Sequence, residues 1–224
     1  MDFQIARKTM VDSQVRPNDV TDIPLQLAME EIPREIFLPG TSRELAYAEQ
    51  EHVYGNEGHQ RVMLKPRDFA KLLAHATPRS GELVLDIGCG TGYSTAILSR
   101  LCEMVLAVEA DEALHTNVAD NMANLKIDNF AVVQADLDKG IVEQGPYDLI
   151  FIGAGIARKP DVLLNQLKDG GRLAAIWRGD SANGGSRRGV LYKRQGDVFS
   201  RIDLFEAGSG ALLEPFAAKP EFRF

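Results

Sequence analysis

Val84-Leu85-Asp86-Ile87-Gly88-Cys89-Gly90-Thr91-Gly92-Tyr93-Ser94-Thr95 is the stretch that decides the fold. A short apolar run ends in an acidic residue, passes through glycines at alternate positions, and enters Tyr93-Ser94-Thr95-Ala96-Ile97-Leu98-Ser99-Arg100-Leu101, where apolar residues recur at helical spacing. The pattern predicts strand, tight loop and helix. Glycines let the backbone turn and let a ligand approach it closely, while the helix start offers free N–H groups and the positive end of its dipole. Such a loop suits a polar group of a nucleotide-like ligand.

Spacing narrows the ligand. A dinucleotide fingerprint calls for Gly or Ala at the sixth place of the loop, where this chain has Tyr93. Asp-x-Gly-x-Gly-x-Gly, from Asp86 through Gly88 and Gly90 to Gly92, resembles instead the first motif of class I S-adenosylmethionine-dependent methyltransferases. In that family the loop carries the methionine end of the cofactor, so the resemblance implies S-adenosylmethionine. The next apolar run, Met104 to Val108, closes on Glu109, about twenty residues past the loop, where a strand-end carboxylate can bind both ribose hydroxyls. A third run, Phe130 to Gln134, leads to Asp136, which by the same resemblance faces the adenine amino group.

Composition sets the outer bounds. With 224 residues and 45% hydrophobic content, the chain suits one compact domain with a full core. A formal net charge of −7 argues against a protein built to grip a phosphate backbone, so no nucleic-acid partner is expected. Arg187, Arg188, Lys193 and Arg194 form a local basic cluster and read as a solvated hairpin. The opening residues from Met1 to Lys8 carry no apolar signal core, and no run reaches membrane-spanning length, which predicts a cytoplasmic protein with no membrane partner. Cys89 and Cys102 lack a metal or redox pattern and are expected as free thiols. His52, His59, His75 and His115 show no ligand spacing, so no metal is expected.

Two portions follow. Residues 1–78 read as a helical and loop portion covering the active site, and residues 79–224 as the cofactor-binding core. Thr21-Asp22 caps a helix with Pro24 in its first turn and Ile23, Leu27, Ala28 and Ile32 on one face, and Pro33 ends it. Pro39 to Gln60, with Gly40, Gly55 and Gly58, reads as loop, and Pro66 opens a helix with Phe69, Leu72 and Leu73 facing inward. Beyond Glu82, strands and helices alternate, which predicts an α/β, Rossmann-like, doubly wound and mostly parallel sheet. Asp111 caps a helix carrying Leu114, Val118 and Met122, and Tyr147 to Ile152 forms the fourth strand. Pro160 opens a helix through Leu163 to Leu167, which Gly170-Gly171 stops before the fifth strand, Arg172 to Trp177. The runs Gly189 to Lys193 and Phe199 to Phe205 are joined by a turn at Gln195-Gly196-Asp197 so short that they must pair antiparallel. A parallel sheet ending in an antiparallel hairpin matches the seven-stranded methyltransferase architecture.

Arg7, Met10-Val11, Ala28-Met29, Ile32-Pro33-Arg34-Glu35-Ile36-Phe37-Leu38-Pro39 and Ala46-Tyr47 resemble the leader of the protein-L-isoaspartate O-methyltransferase family. Gln166-Leu167-Lys168-Asp169-Gly170-Gly171-Arg172-Leu173 is similar to a downstream segment of that family. The resemblance implies methyl transfer to isoaspartyl carboxylates of damaged proteins. One segment departs from it. Aligned on Pro66, Leu64 stands where the family has an active-site serine, and Val62 stands in place of its threonine. An acidic residue that follows "A-Y" in the family is also shifted here, to Ala48-Glu49. Burying a carboxylate against Leu64 carries a desolvation penalty, which Lys65 could relieve as a cationic partner. Trp177 could wall an acceptor pocket or simply be core. Catalytic residues therefore stay unassigned at this stage. Two alternatives remain beside isoaspartyl methylation: a less charged small-molecule acceptor, suited to Val62, Leu64 and Trp177, or a non-catalytic cofactor-binding partner protein.

Overall fold

The computed structural model describes residues 2–38, 43–56, 60–179 and 186–218, so the expectations that fell on Met1, Pro39, Gly40, Gly58 and His59 lie outside the described residues. Asp2 caps α1 (Phe3–Met10) by accepting from the amides of Gln4 and Ile5, and the chain continues through a π turn at Val11–Val15. Asp22 caps α2 (Ile23–Glu31) by accepting from the Leu25 amide, with Pro24 in the first turn as expected. Its buried face is not the expected one. Leu25, Ala28, Met29 and Ile32 are buried, while Ile23 and Leu27 are each 57% exposed. The set 25, 28, 29, 32 is itself an i, i+3, i+4, i+7 stripe, and Gln26 joins it by donating to the Val20 carbonyl.

The segment expected as loop, Pro39 to Gln60, contains one strand, which pairs with a second just after it. A 3-10 turn at Arg43–Tyr47 leads into β1 (His52–Tyr54), which pairs antiparallel with β2 (Arg61–Met63). Each strand is three residues long, too short for its period to stand out among polar flanks. α3 (Pro66–Ala76) then buries Phe69, Leu72 and Leu73 as expected.

From here strands and helices alternate through β3 (Leu83–Ile87), α4 (Tyr93–Ser99), β4 (Met104–Val108), α5 (Glu112–Asn124), β5 (Phe130–Val133) and β6 (Tyr147–Ile156). One further turn of helix, α6 (Asp161–Leu164), precedes β7 (Leu167–Arg178), β8 (Arg187–Gln195) and β9 (Val198–Glu206). The expected longer helix and later strand start give way here: β7 begins at Leu167 opposite Tyr147, and its register shifts before Arg172 pairs with Leu149. Gly170, at φ 78°, lets the strand take that irregularity without ending it. The sheet is seven-stranded, in the order β5-β4-β3-β6-β7-β8-β9. Its first five strands run parallel, and β8 and β9 pair antiparallel at the edge.

Alternation along β3 fixes which side faces the N-terminal portion. Val84 enters the apolar cluster shared with α1, α2, α3 and α4, while Leu85 and Ile87 enter the cluster on the opposite face with Leu163, Leu213 and Phe216. The chain leaves β3 toward β4 and β5, then returns to place β6 on the other side of β3. That reversal opens a crevice beyond the carboxyl end of β3, where ligands of such sheets bind.

Candidate active site

The glycine loop occupies this crevice. Gly88, Gly90 and Gly92 take φ values of 67°, 61° and 96°, a left-handed conformation that L side chains rarely adopt. The surroundings are close as well: a Cβ at Gly88 would stand 3.0 Å from Leu213 Cδ2, and one at Gly92 2.8 Å from Met122 Cε, so those side-chain ends would have to shift. Asp86, on the same sheet face as Val84, is buried beneath α4. Its Oδ2 accepts from the hydroxyls of Ser94 and Thr95 at 2.7 Å, and its Oδ1 has no partner among the described residues. Burial pushes the Asp86 carboxyl up to about 6, against the two hydroxyl bonds and with help from the nearby Glu109 charge.

Glu109 follows β4 and is fully buried. Its Oε2 accepts from the Gly90 amide at 2.9 Å and its Oε1 from the Asp111 amide at 3.0 Å. Arg61, on β2, closes the remaining side: its Nε lies 3.1 and 2.9 Å from the two carboxylate oxygens and its Nη2 2.5 Å from Oε1. The structure thus brings Asp86, the glycines and Glu109 into one cluster. Asp136 lies apart from it, with a 63% exposed side chain paired to Lys139, and the next residue, Leu137, is the one that packs against Gly88.

The leader residues converge on the same region. Arg34 is fully buried, donates from Nε to the Ala46 carbonyl and from Nη2 to the Leu64 carbonyl, and stacks 4.9 Å from the Tyr93 ring centroid. Glu35 accepts from Tyr47 Oη and from Arg7 Nη1, while the Phe37 carbonyl accepts from Thr91 Oγ1 of the glycine loop at 2.5 Å. These residues carry no reaction by themselves. They anchor Leu64 and its neighbours over the loop. A cavity of about 20 Å³ between them is lined by Tyr54, Val62, Leu64, Phe69, Cys89 and Tyr93, room for little more than one water. Trp177 lies elsewhere, half-buried on the hairpin side with the Arg201 guanidinium 4.4 Å over its ring. Lys65 sits 4.0 Å from Glu49 rather than facing the cavity. Cys89 and Cys102 are free and buried, as expected.

Sequence reasoning missed three contributors: Arg61, Tyr54 and the C-terminal segment from Gly208 to Leu213. Asp68, buried in the first turn of α3, accepts from the amides of Gly208 and Ser209 and from Ser209 Oγ, each at 2.8 Å. Glu51 accepts from the amides of Gly210 and Ala211. The segment pairs with Gly155 near the carboxyl end of β6, and Leu213 rests on Gly88. Short strands and an irregular strap leave no periodic signal, and only hydrogen bonds to groups distant in the chain reveal them.

A sequence model of protein-L-isoaspartate(D-aspartate) O-methyltransferase matches residues 6–181. The chain belongs to the protein-L-isoaspartate(D-aspartate) O-methyltransferase family. It is 36% identical over 171 residues to protein-L-isoaspartate O-methyltransferase 1 of Rhodopseudomonas palustris, an alignment covering 76% of this chain and 69% of that protein. The corresponding protein of Methanoculleus marisnigri is 33% identical over 169 residues, 75% of this chain and 76% of the other. A solved protein-L-isoaspartate O-methyltransferase superposes with a TM-score of 0.78 at 26% identity, covering 92% of this chain and 65% of that one. Membership makes the chain a methyltransferase, and the matched span includes the leader residues from Arg7 to Tyr47. No helix among the described residues is long and apolar enough to cross a membrane.

Proposed function

We propose that the chain transfers a methyl group from S-adenosylmethionine to the carboxylate of isoaspartyl residues in proteins. The observation that carries this is the convergence of left-handed glycines, Asp86 and Glu109 at the crevice where the sheet reverses its strand order. Its donor set fits the cofactor chemically: bare backbone at Gly88 and Gly90, an unpartnered buried oxygen on Asp86, and a strand-end carboxylate at Glu109 suited to a ribose diol. In this reading Gly88, Gly90, Gly92 and Asp86 hold the methionine end, Glu109 the ribose, and Asp136 the adenine edge. Residues 79–224 form the donor site, and residues 1–78 cover it.

S-adenosylmethionine, when bound, supplies an electrophilic methyl group on a sulfonium. The acceptor carboxylate is ionised at neutral pH, so the chain needs no strong base. What it contributes is alignment and exclusion of water. Val62, Leu64 and Phe69 wall the cavity beside the loop with apolar surface, and Arg34 fixes Leu64 by its carbonyl. Leu64, where the family carries a serine, is part of that apolar wall.

Labelled S-adenosylmethionine offered with an isoaspartyl peptide and its aspartyl twin tests the reading. Label should appear in the isoaspartyl peptide alone, and Leu64→Ser should preserve or raise the rate. Cofactor binding without transfer to that peptide would overturn isoaspartyl methylation. A fall in turnover of another acceptor on Leu64→Ser would mark a less charged substrate, because an unpaired hydroxyl would then stand in an apolar pocket.

A further inference from the structure

The donor set is complete, yet the chain itself fills it. Glu109 is offered as a diol receptor, but both its oxygens are already engaged by the Arg61 fork and the amides of Gly90 and Asp111. The Tyr54 hydroxyl lies on the bare backbone of Gly90, accepting from the Thr91 amide at 3.3 Å, where even a methyl group on Gly90 would overlap it. Leu213 covers Gly88 from the other side. On the Leu64 and Tyr93 side of the loop, Tyr54 also lines the small cavity that has room for about one water. A ribose diol cannot reach the Glu109 oxygens without displacing Arg61, and a ligand cannot approach the Gly90 backbone without displacing Tyr54.

We propose that the β1–β2 hairpin is an autoinhibitory latch, in which Arg61 competes with the donor's ribose for Glu109 while Tyr54 covers Gly90. The inference rests on the donor-site reading above and goes beyond it in assigning the hairpin a closed state. Tyr54 and Arg61 are cross-strand partners, so one small unit carries both contacts and releases both together. A buried ion pair roughly breaks even against hydration of its members. Exchanging the guanidinium for two hydroxyls therefore leaves Glu109 hydrogen-bonded and returns Arg61 to water, a near-balanced swap that a ligand of ordinary affinity can drive. Binding only to the open state multiplies the apparent affinity by the fraction of molecules that are open, so a mostly closed latch weakens it strongly.

The test is calorimetric titration of S-adenosylhomocysteine into the full chain, Arg61→Gln and Tyr54→Ala, with amide hydrogen exchange across residues 52–63 of the unaltered protein. Tyr54→Ala opens the cradle without stranding a buried charge, so the test survives if Arg61→Gln folds poorly. Both variants are expected to bind at least tenfold tighter than the unaltered chain, and the ligand is expected to speed exchange in β1 and β2. Equal or weaker binding by both variants, together with slower exchange on ligand addition, would overturn the latch while leaving the donor site standing. No binding by any of the three proteins would overturn the latch and the donor-site reading alike.

Discussion

Asp86 gives the site a measurable pH dependence. Its carboxyl is pushed up to about 6 by burial, whereas an unfolded aspartate titrates near about 4. Between those values the native state keeps a proton that the unfolded state has lost. The resulting contribution is fully present below about pH 4 and is lost as pH rises through about 6, on the order of 2–3 kcal/mol. Asp86→Asn keeps a neutral oxygen for Ser94 and Thr95, so it should gain stability relative to the parent between pH 4.5 and pH 7.5. Urea unfolding of both proteins at the two pH values checks this, and a difference that does not change with pH would refute it. At this scale the sequence was informative wherever a residue's place is set by its own strand. Asp86 and Glu109 were legible because each ends an apolar run. Arg61 was not, because its partner is 48 residues away and its own strand is three residues long.

Among the elements, α2 shows how a correct helix can carry a misassigned face. Apolar residues at 23, 27, 28 and 32 and at 25, 28, 29 and 32 both satisfy helical spacing, and the choice is made by what packs against the helix. Leu25→Ala and Met29→Ala should each cost about 2–5 kcal/mol, the range for large-to-small changes in a core. Ile23→Lys and Leu27→Lys should stay within about 0.5 kcal/mol, as exposed substitutions do. Guanidinium unfolding of the four variants separates the two faces directly. Comparable losses on both sides would return the helix to the sequence-based register. The helix limits themselves were legible, because Asp22, Pro24 and Pro33 act through local backbone chemistry that tertiary packing does not alter.

Over the whole molecule, Arg172 ties the end of α3 to the sheet. Its guanidinium donates to the carbonyls of Ala76 and Thr77 at the end of α3, to the Asp148 carbonyl, and as a fork to both oxygens of Glu82. Arg172→Ala leaves buried Glu82 with only the Arg79 amide at 2.9 Å and the Arg79 guanidinium at 4.0 Å, and should cost about 3 kcal/mol in urea unfolding, the low end for breaking a buried pair. Arg172→Lys should recover less than half of that, since an ammonium cannot reproduce the planar fork. A loss below about 1 kcal/mol for the alanine variant would show that the apolar clusters alone hold α3 against the sheet. The sequence by itself determined the alternating α/β order, the parallel sheet with its antiparallel edge, the glycine loop and the strand-end carboxylates. Each of these follows from local periodicity, capping and turn chemistry. Only the tertiary structure decided which face of α2 is buried, that β1 and β2 pair, and that Arg61, Tyr54 and Leu213 close over the loop. Those outcomes depend on contacts between residues far apart in the chain, and no local pattern encodes them.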